Sequence, residues 1–264
     1  MKNAENEILK EFVDHDMELP LDLGKTASNQ PFTIDLVKMP HILMGGTSEQ
    51  ESSTILNAII KSLANKKNPS QLKFAFITSK NANLIELSTI NKTYIFKTRD
   101  NNDLSYKDKP NSMSMLFAVI IEMDVRYEFL KKAQVRNIKE YNSKFNRKML
   151  KSEKGHGYMP YIVVLIDEFA TLITTHQKEF EFCVGRIVLL SRAVGIHLII
   201  NTQVLSSLVI NDRIKSHFPA RIAFKVTSTE ESNILLDSPI ANELHDTGEM
   251  LVLIEKRFKK IQYQ

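Results

Sequence analysis

Hydrophobic and polar positions alternate along the chain between two periods. Short apolar runs bounded by polar or turn residues recur at "HILMGG" (His41–Gly46), "LKFAFITS" (Leu72–Ser79), "TYIFK" (Thr93–Lys97), "YIVVLIDEF" (Tyr161–Phe169) and "HLIINTQ" (His197–Gln203). Three more follow at "RIAFKV" (Arg221–Val226), "EMLVLIE" (Glu249–Glu255) and "RFKKIQYQ" (Arg257–Gln264). Their shortness and their β-branched and aromatic content predict strands. Between them the spacing turns helical over Ser53–Ala64, Met113–Phe145 and Lys178–Val194. In the second of these, Leu116, Val119, Ile120, Met123, Tyr127 and Leu130 recur every three or four positions. Near the start, a short charged helix precedes strand-like "LDLGK" and "PFTIDL". The turn residues of "TASNQP" between them predict a hairpin. The polar stretch 99–112 reads as a loop. Residues 1–37 are therefore expected to form a small helix-and-hairpin subdomain, and residues 38–264 the core.

Strands alternating with helices imply an α/β fold, a mainly parallel sheet with helices on both faces. Such sheets bind ligands beyond the C-terminal ends of their strands. Three polar clusters fall there: "GGTSEQES", "DE" at Asp167–Glu168, and "NTQ" ending in Gln203.

Composition narrows the class. The 264 residues are 43% hydrophobic and 25% charged, enough to bury one large core or two small ones. A net charge of +4 permits nucleic-acid binding without arguing for it. The single cysteine, Cys183, excludes an internal disulfide, fits a reducing cytoplasmic setting, and falls in an apolar stretch that predicts core packing. No apolar run is long enough to span a membrane, and "MKNAENEILKEF" is not a signal peptide.

The first polar cluster carries the sharpest question. "PHILMGGTSEQESSTILNAII" has the strand–loop–helix layout of a phosphate-binding loop, G-x-x-x-x-G-K-[ST]. Glu51 stands where the second glycine belongs and Ser52 where the lysine belongs. Asp167 ends a hydrophobic strand, where P-loop ATPases hold Mg²⁺. A following glutamate, here Glu168, can polarise water. Gln203 ends another strand, where an amide could sense a γ-phosphate. Each of these has a plain alternative as a solvated strand end. Their order along the chain is more specific than any one of them.

The chain resembles the motor domain of the FtsK/SpoIIIE DNA translocases. The likeness is carried by "DLVKMPHILMGGT", "LNAIIKSL", "PSQLKF", "IEMDVRY", "VRNIKEYNSKF", "PYIVVLIDEFATLI", "SRAVGIHLIINTQ", "FPARIAFKVTS" and "ILLDSP". The resemblance implies a RecA-like P-loop core, ATP with Mg²⁺ as cofactor, rings around double-stranded DNA, and a part in chromosome partition and cell division. It does not extend to a membrane anchor or a winged-helix module. Carried over by position, Gly46, Thr47 and Ser53 match the phosphate loop, with Ser53 and Asp167 as metal ligands. Asp167, Glu168 and Gln203 match the catalytic places. Glu49 and Glu51 replace glycines, Ser52 replaces the lysine, and Thr171 replaces an acid. Arg126, Arg186, Arg192 and Arg221 match family arginines, one of which could act in trans.

The substitutions work against nucleotide binding. Glycines in such loops often take φ > 0, which glutamate adopts only at a cost. Two like charges about 5 Å apart at an effective dielectric of about 20 repel by roughly 3 kcal/mol. Three readings remain open from sequence. One is a motor-like domain with impaired ATP binding. Another is a working translocase that recruits a lysine such as Lys80. The third is an interaction module that has lost both ligands. A ring could be built from copies of this chain or together with intact paralogues, and sequence leaves the choice open.

Overall fold

The computed structural model describes residues 17–77, 91–97, 112–167, 169–244 and 248–263. The expected N-terminal charged helix, most of the 99–112 loop, Lys80 and Glu168 lie outside the described residues. The chain divides into two compact units: one runs through Lys66 and resumes at Thr202, and the other spans Lys67–Asn201.

In the first unit β1 (Pro20–Thr26) and β2 (Pro31–Asp35) form the expected antiparallel hairpin. Gly24 is required there: its φ is +122°, and a Cβ would lie 2.3 Å from the Gln262 carbonyl oxygen. Next come β3 (His41–Gly45), buried at all five positions, and α1 (Glu49–Lys66). After the second unit follow the short α6 (Asp212–Lys215), β7 (Ala220–Ala223), α7 (Thr229–Leu236), β8 (Glu249–Ile254) and β9 (Arg257–Gln262). The strand order is β2-β1-β9-β8-β7-β3. β3 and β7 run parallel, whereas β7–β8, β8–β9 and β1–β9 are antiparallel. A parallel core strand pair is thus extended outward by hairpins, which need only tight turns instead of crossover helices.

The second unit holds β4 (Leu72–Ile77), α2 (Ser112–Ala133), α3 (Ile138–Asn146), β5 (Tyr161–Ile166), α4 (Phe169–Thr175), α5 (Gln177–Leu190) and β6 (Ile196–Thr202, its last residue belonging to the first unit). β4, β5 and β6 are parallel and in that order. β5 and β6 are buried throughout, as continuous apolar runs in parallel sheets require. Cys183 is a free thiol with no exposed surface, packed in α5 as expected.

Several boundaries differ from expectation for identifiable reasons. The helix expected over 113–145 is two helices. Gln134 takes φ +53°, and Asn137 caps α3 by accepting from the Glu140 amide at 2.9 Å, while Glu140 accepts from the Arg136 amide at 2.9 Å. "TYIFK" is not a strand: Lys92–Tyr94 form one 3₁₀ turn capped by Asn91, and Ile95 makes a single bridge to Phe74. The strand ending at "DEF" stops at Ile166, and Phe169 already opens α4. Helix α1 begins four residues before Ser53, at Glu49.

Candidate functional site

The loop after β3 is built by close approach. A Cβ at Gly45 would lie 2.8 Å from Leu205 Cδ2 and 2.9 Å from the Thr202 carbonyl oxygen. A Cβ at Gly46 would lie 2.6 Å from Phe224 Cβ. Both glycines are therefore demanded by packing. Thr47 is fastened next: its amide and its hydroxyl both donate to the Lys225 carbonyl, each at 3.1 Å. Ser48 then caps α1, accepting from the Glu51 amide at 3.3 Å, and its carbonyl accepts from the Ser52 amide at 3.3 Å. Glu49 and Glu51 lie in the first turn, where the exposed amides and the helix dipole favour negative charge.

The helical path removes the strain expected of glutamates at glycine positions, since neither Glu49 nor Glu51 is among the positive-φ residues. It also consumes donors, because the amides of Thr47, Glu51 and Ser52 are all bonded to the chain's own carbonyl or hydroxyl oxygens. Ser52, at the lysine position, is 1% exposed, and its hydroxyl donates back to the carbonyls of Ser48 and Glu49. Glu51, at the glycine position, is 6% exposed and accepts at Oε1 from the Tyr263 hydroxyl at 2.7 Å. Burial, and then the hydrogen bond to Glu51, push the Tyr263 phenol well above its ordinary value. The Tyr263 ring also meets Phe224 edge-on, 5.9 Å between centroids. Ser53 is half-buried on the next position of the helix. The arrangement fits a helix start held by the residue that follows β9, with a hydroxyl at Ser52 in the place of the lysine.

In the other unit the end of β5 keeps its carboxylate. The Asp167 amide donates to the Ile77 carbonyl at 3.0 Å, which continues the β4–β5 ladder past the strand. Asp167 Oδ1 accepts from Asn201 Nδ2 at 2.7 Å, with both residues buried. Asn201 was not singled out from sequence, although it opens the "NTQ" cluster. A carboxylate fixed this way at a strand end is a suitable Mg²⁺ ligand, and the Asn201 amide would orient it. Among the described residues no group of three or more His, Cys, Asp or Glu could hold a metal alone, so water or phosphate oxygens would have to complete any shell. Gln203 is half-buried, after a Thr202 whose hydroxyl bonds the Val204 carbonyl at 3.2 Å.

Three of the four arginines have internal duties. Arg126 is buried and donates to Glu122 and to the Val194 carbonyl, each at 2.9 Å. Arg186 pairs with Asp124 at 2.8 Å, and Arg221 pairs with Asp237 at 2.7 Å. Arg192 is exposed.

Comparison with known proteins agrees with this geometry. Residues 8–207 match the model of the FtsK/SpoIIIE family. The chain is 36% identical over 257 residues to a DNA translocase FtsK of Chlorobaculum tepidum, covering 97% of this chain and 31% of the relative. It is also 36% identical over 243 residues to that of Treponema pallidum, covering 90% of this chain and 28% of the relative. It thus spans about a third of the length of these curated relatives. Among solved structures, it superposes on the cytoplasmic domain of the Thermomonospora curvata type VII secretion ATPase EccC with a TM-score of 0.76 at 20% identity. That match covers 95% of this chain and 29% of the other. The pCW3 conjugation coupling protein TcpA, a monomer with ATPγS, gives 0.72 at 23% identity, covering 96% and 67%. These likenesses show the RecA-like P-loop ATPase fold.

Proposed function

The chain belongs to the FtsK/SpoIIIE family, and from that premise we propose that it is a DNA-translocase motor domain whose phosphate loop binds ATP poorly. The observation that carries the second half is Ser52. Where the loop needs a lysine, a buried hydroxyl is turned back onto its own helix. Losing one ammonium–phosphate contact and placing Glu49 and Glu51 near the phosphates each weaken binding by roughly tenfold or more.

Double-stranded DNA is the partner that the translocase relatives suggest. The modest +4 charge and the absence of a recognised base-reading motif favour non-specific contacts to phosphates, whose affinity falls steeply with salt. Asp167 and Gln203 keep the places of a metal ligand and a γ-phosphate sensor. Glu168 would polarise water, and Ser53 and Asp167 each occupy a metal-ligand position of the family's motifs. Exposed Arg192 is then the arginine best placed to serve a neighbouring subunit. In a ring, such a chain contributes DNA contacts while intact paralogues supply hydrolysis. A 1–37 helix-and-hairpin subdomain ahead of a 38–264 motor core is part of the same proposal.

A thermal-shift titration with Mg-ATP and then with duplex DNA tests this. Stabilisation by DNA but not by ATP is the expected result. Stabilisation by ATP at micromolar concentration would make the chain a working motor, and no response to either would make it an interaction module.

A further inference from the structure

The Lys67–Asn201 unit contains a second concave site. Residues 91–97 run along the edge of β4, tied by the Phe96 amide to the Phe74 carbonyl at 2.8 Å and by the Tyr94 hydroxyl to the Lys67 carbonyl at 2.9 Å. Between this strap, α2 and the beginnings of β4 and β5 lies a cavity of about 450 Å³. That volume falls in the usual range for small-molecule sites, about 300–1,000 Å³. Its charged lining is Lys73, Lys92, Lys97, Arg126 and one carboxylate, Glu122. Its apolar wall includes Phe96 and Ile162.

The charges are placed, not loose. Arg126 is 2% exposed and held by Glu122 and the Val194 carbonyl, so its guanidinium is a fixed positive floor. The Lys73 ammonium donates to the Thr93 carbonyl, which fixes it at the rim. Burial, and then the nearby Lys97 ammonium, lower the Lys73 pKa, so the cations are crowded. An anion relieves that crowding, and ammonium groups are effective point-charge binders of phosphate. The apolar wall calls for a ligand with more than a bare anion.

We propose that this cavity binds a small phosphate-bearing molecule with a planar or apolar body. The cavity lies at the N-terminal ends of β4 and β5. Five residues of strand separate Ile162 from Asp167, roughly 16 Å at about 3.3 Å per residue. The ligand is therefore distinct from any nucleotide served by Asp167, and the proposal stands whether or not the phosphate loop binds ATP. A DNA duplex presents its phosphates on a convex surface. It would reach the exposed Lys92 and Lys97 but not the buried Arg126.

Isothermal titration of the whole chain with AMP and with inorganic pyrophosphate, without divalent cations, tests it. AMP should saturate a single site. The double reversal Lys73→Glu with Lys97→Glu should weaken it by about thirtyfold or more, as expected for two charge contacts inverted. Ser53→Ala should leave AMP affinity unchanged. If the double variant loses its cooperative melt, Lys92→Glu at its exposed position decides, with about threefold weakening expected. Four results would overturn the proposal: no saturable binding of either probe at millimolar concentration, affinity unchanged in the reversed variant that folds, weakening by Ser53→Ala, or saturable binding of duplex DNA alone.

Discussion

The loop after β3 and the end of β5 began from the same sequence logic and finished differently. Both follow fully buried strands, and both carry polar residues where this fold binds phosphates and metal. At the end of β5 a buried carboxylate, Asp167, accepts from the Asn201 amide, which leaves it the chemistry a metal ligand would need. In the loop after β3 the same kinds of groups are spent on the chain itself. Ser48 caps, Ser52 folds back, and Glu51 holds Tyr263. Glu49 and Glu51 sit in an ordinary helical first turn, without positive φ.

The largest effect should come from reversing that change. Glu49→Gly, Glu51→Gly and Ser52→Lys together should restore a phosphate loop and tighten Mg-ATP by about a hundredfold or more, equivalent to about 2.7 kcal/mol. Calorimetry on both proteins measures it. Equal affinity in the two would mean that the loop is not what limits binding. In the restored protein, Asp167→Asn should remove most of the Mg²⁺-dependent gain. In the unaltered chain the same change weakens the charge-assisted bond to Asn201, and a loss of about 1.5–3 kcal/mol by denaturant melt is expected.

How much of this contrast could be read from sequence depends on range. β5 and β6 were legible because a parallel strand buried on both faces must be a continuous apolar run. The start of α1 is masked in the sequence by its overlap with the phosphate-loop register, although Ser48-x-x-Glu51 is itself a capping signature. Asn137-x-x-Glu140 likewise announced the break between α2 and α3. "TYIFK" misled because β-rich composition does not say whether a neighbouring strand is free to pair over its length. The partners that define the two sites are remote. Asn201 lies 34 residues from Asp167, and Tyr263 lies 212 from Glu51, so no local pattern encodes either bond.

Tyr263 makes the loop's half of the comparison testable alone. Tyr263→Phe keeps the ring against Phe224 and removes the hydroxyl, and it should cost about 1–2 kcal/mol. The phenol's pKa is raised in the folded state above an ordinary 10.0. Its contribution is therefore complete below that value and is lost as pH rises through the folded pKa. The stability gap between wild type and variant should hold at neutral pH and narrow only in strongly alkaline buffer. A gap that already narrows in mildly alkaline buffer, well below the phenol's ordinary 10.0, would assign it to some other group.

The smallest effect separates the two descriptions of the loop most cleanly. If Glu49 is forced into a glycine conformation, Glu49→Gly relieves strain and should stabilise the protein. If α1 starts at Glu49, as the Ser48 cap and the absence of a positive φ at that residue indicate, glycine there loses helix propensity and removes a charge favoured by the dipole. The expected result is a loss of about 0.5–1 kcal/mol, from roughly comparable propensity and dipole contributions. Glu49→Gln should lose only the dipole share, about 0.3–0.5 kcal/mol, and high salt should shrink that share while leaving the glycine penalty. Chemical denaturation of the three proteins at two ionic strengths reads both terms. A gain on Glu49→Gly would return the loop to a strained phosphate cradle, and any weakness in ATP binding would then have to be sought at Glu51 and Ser52.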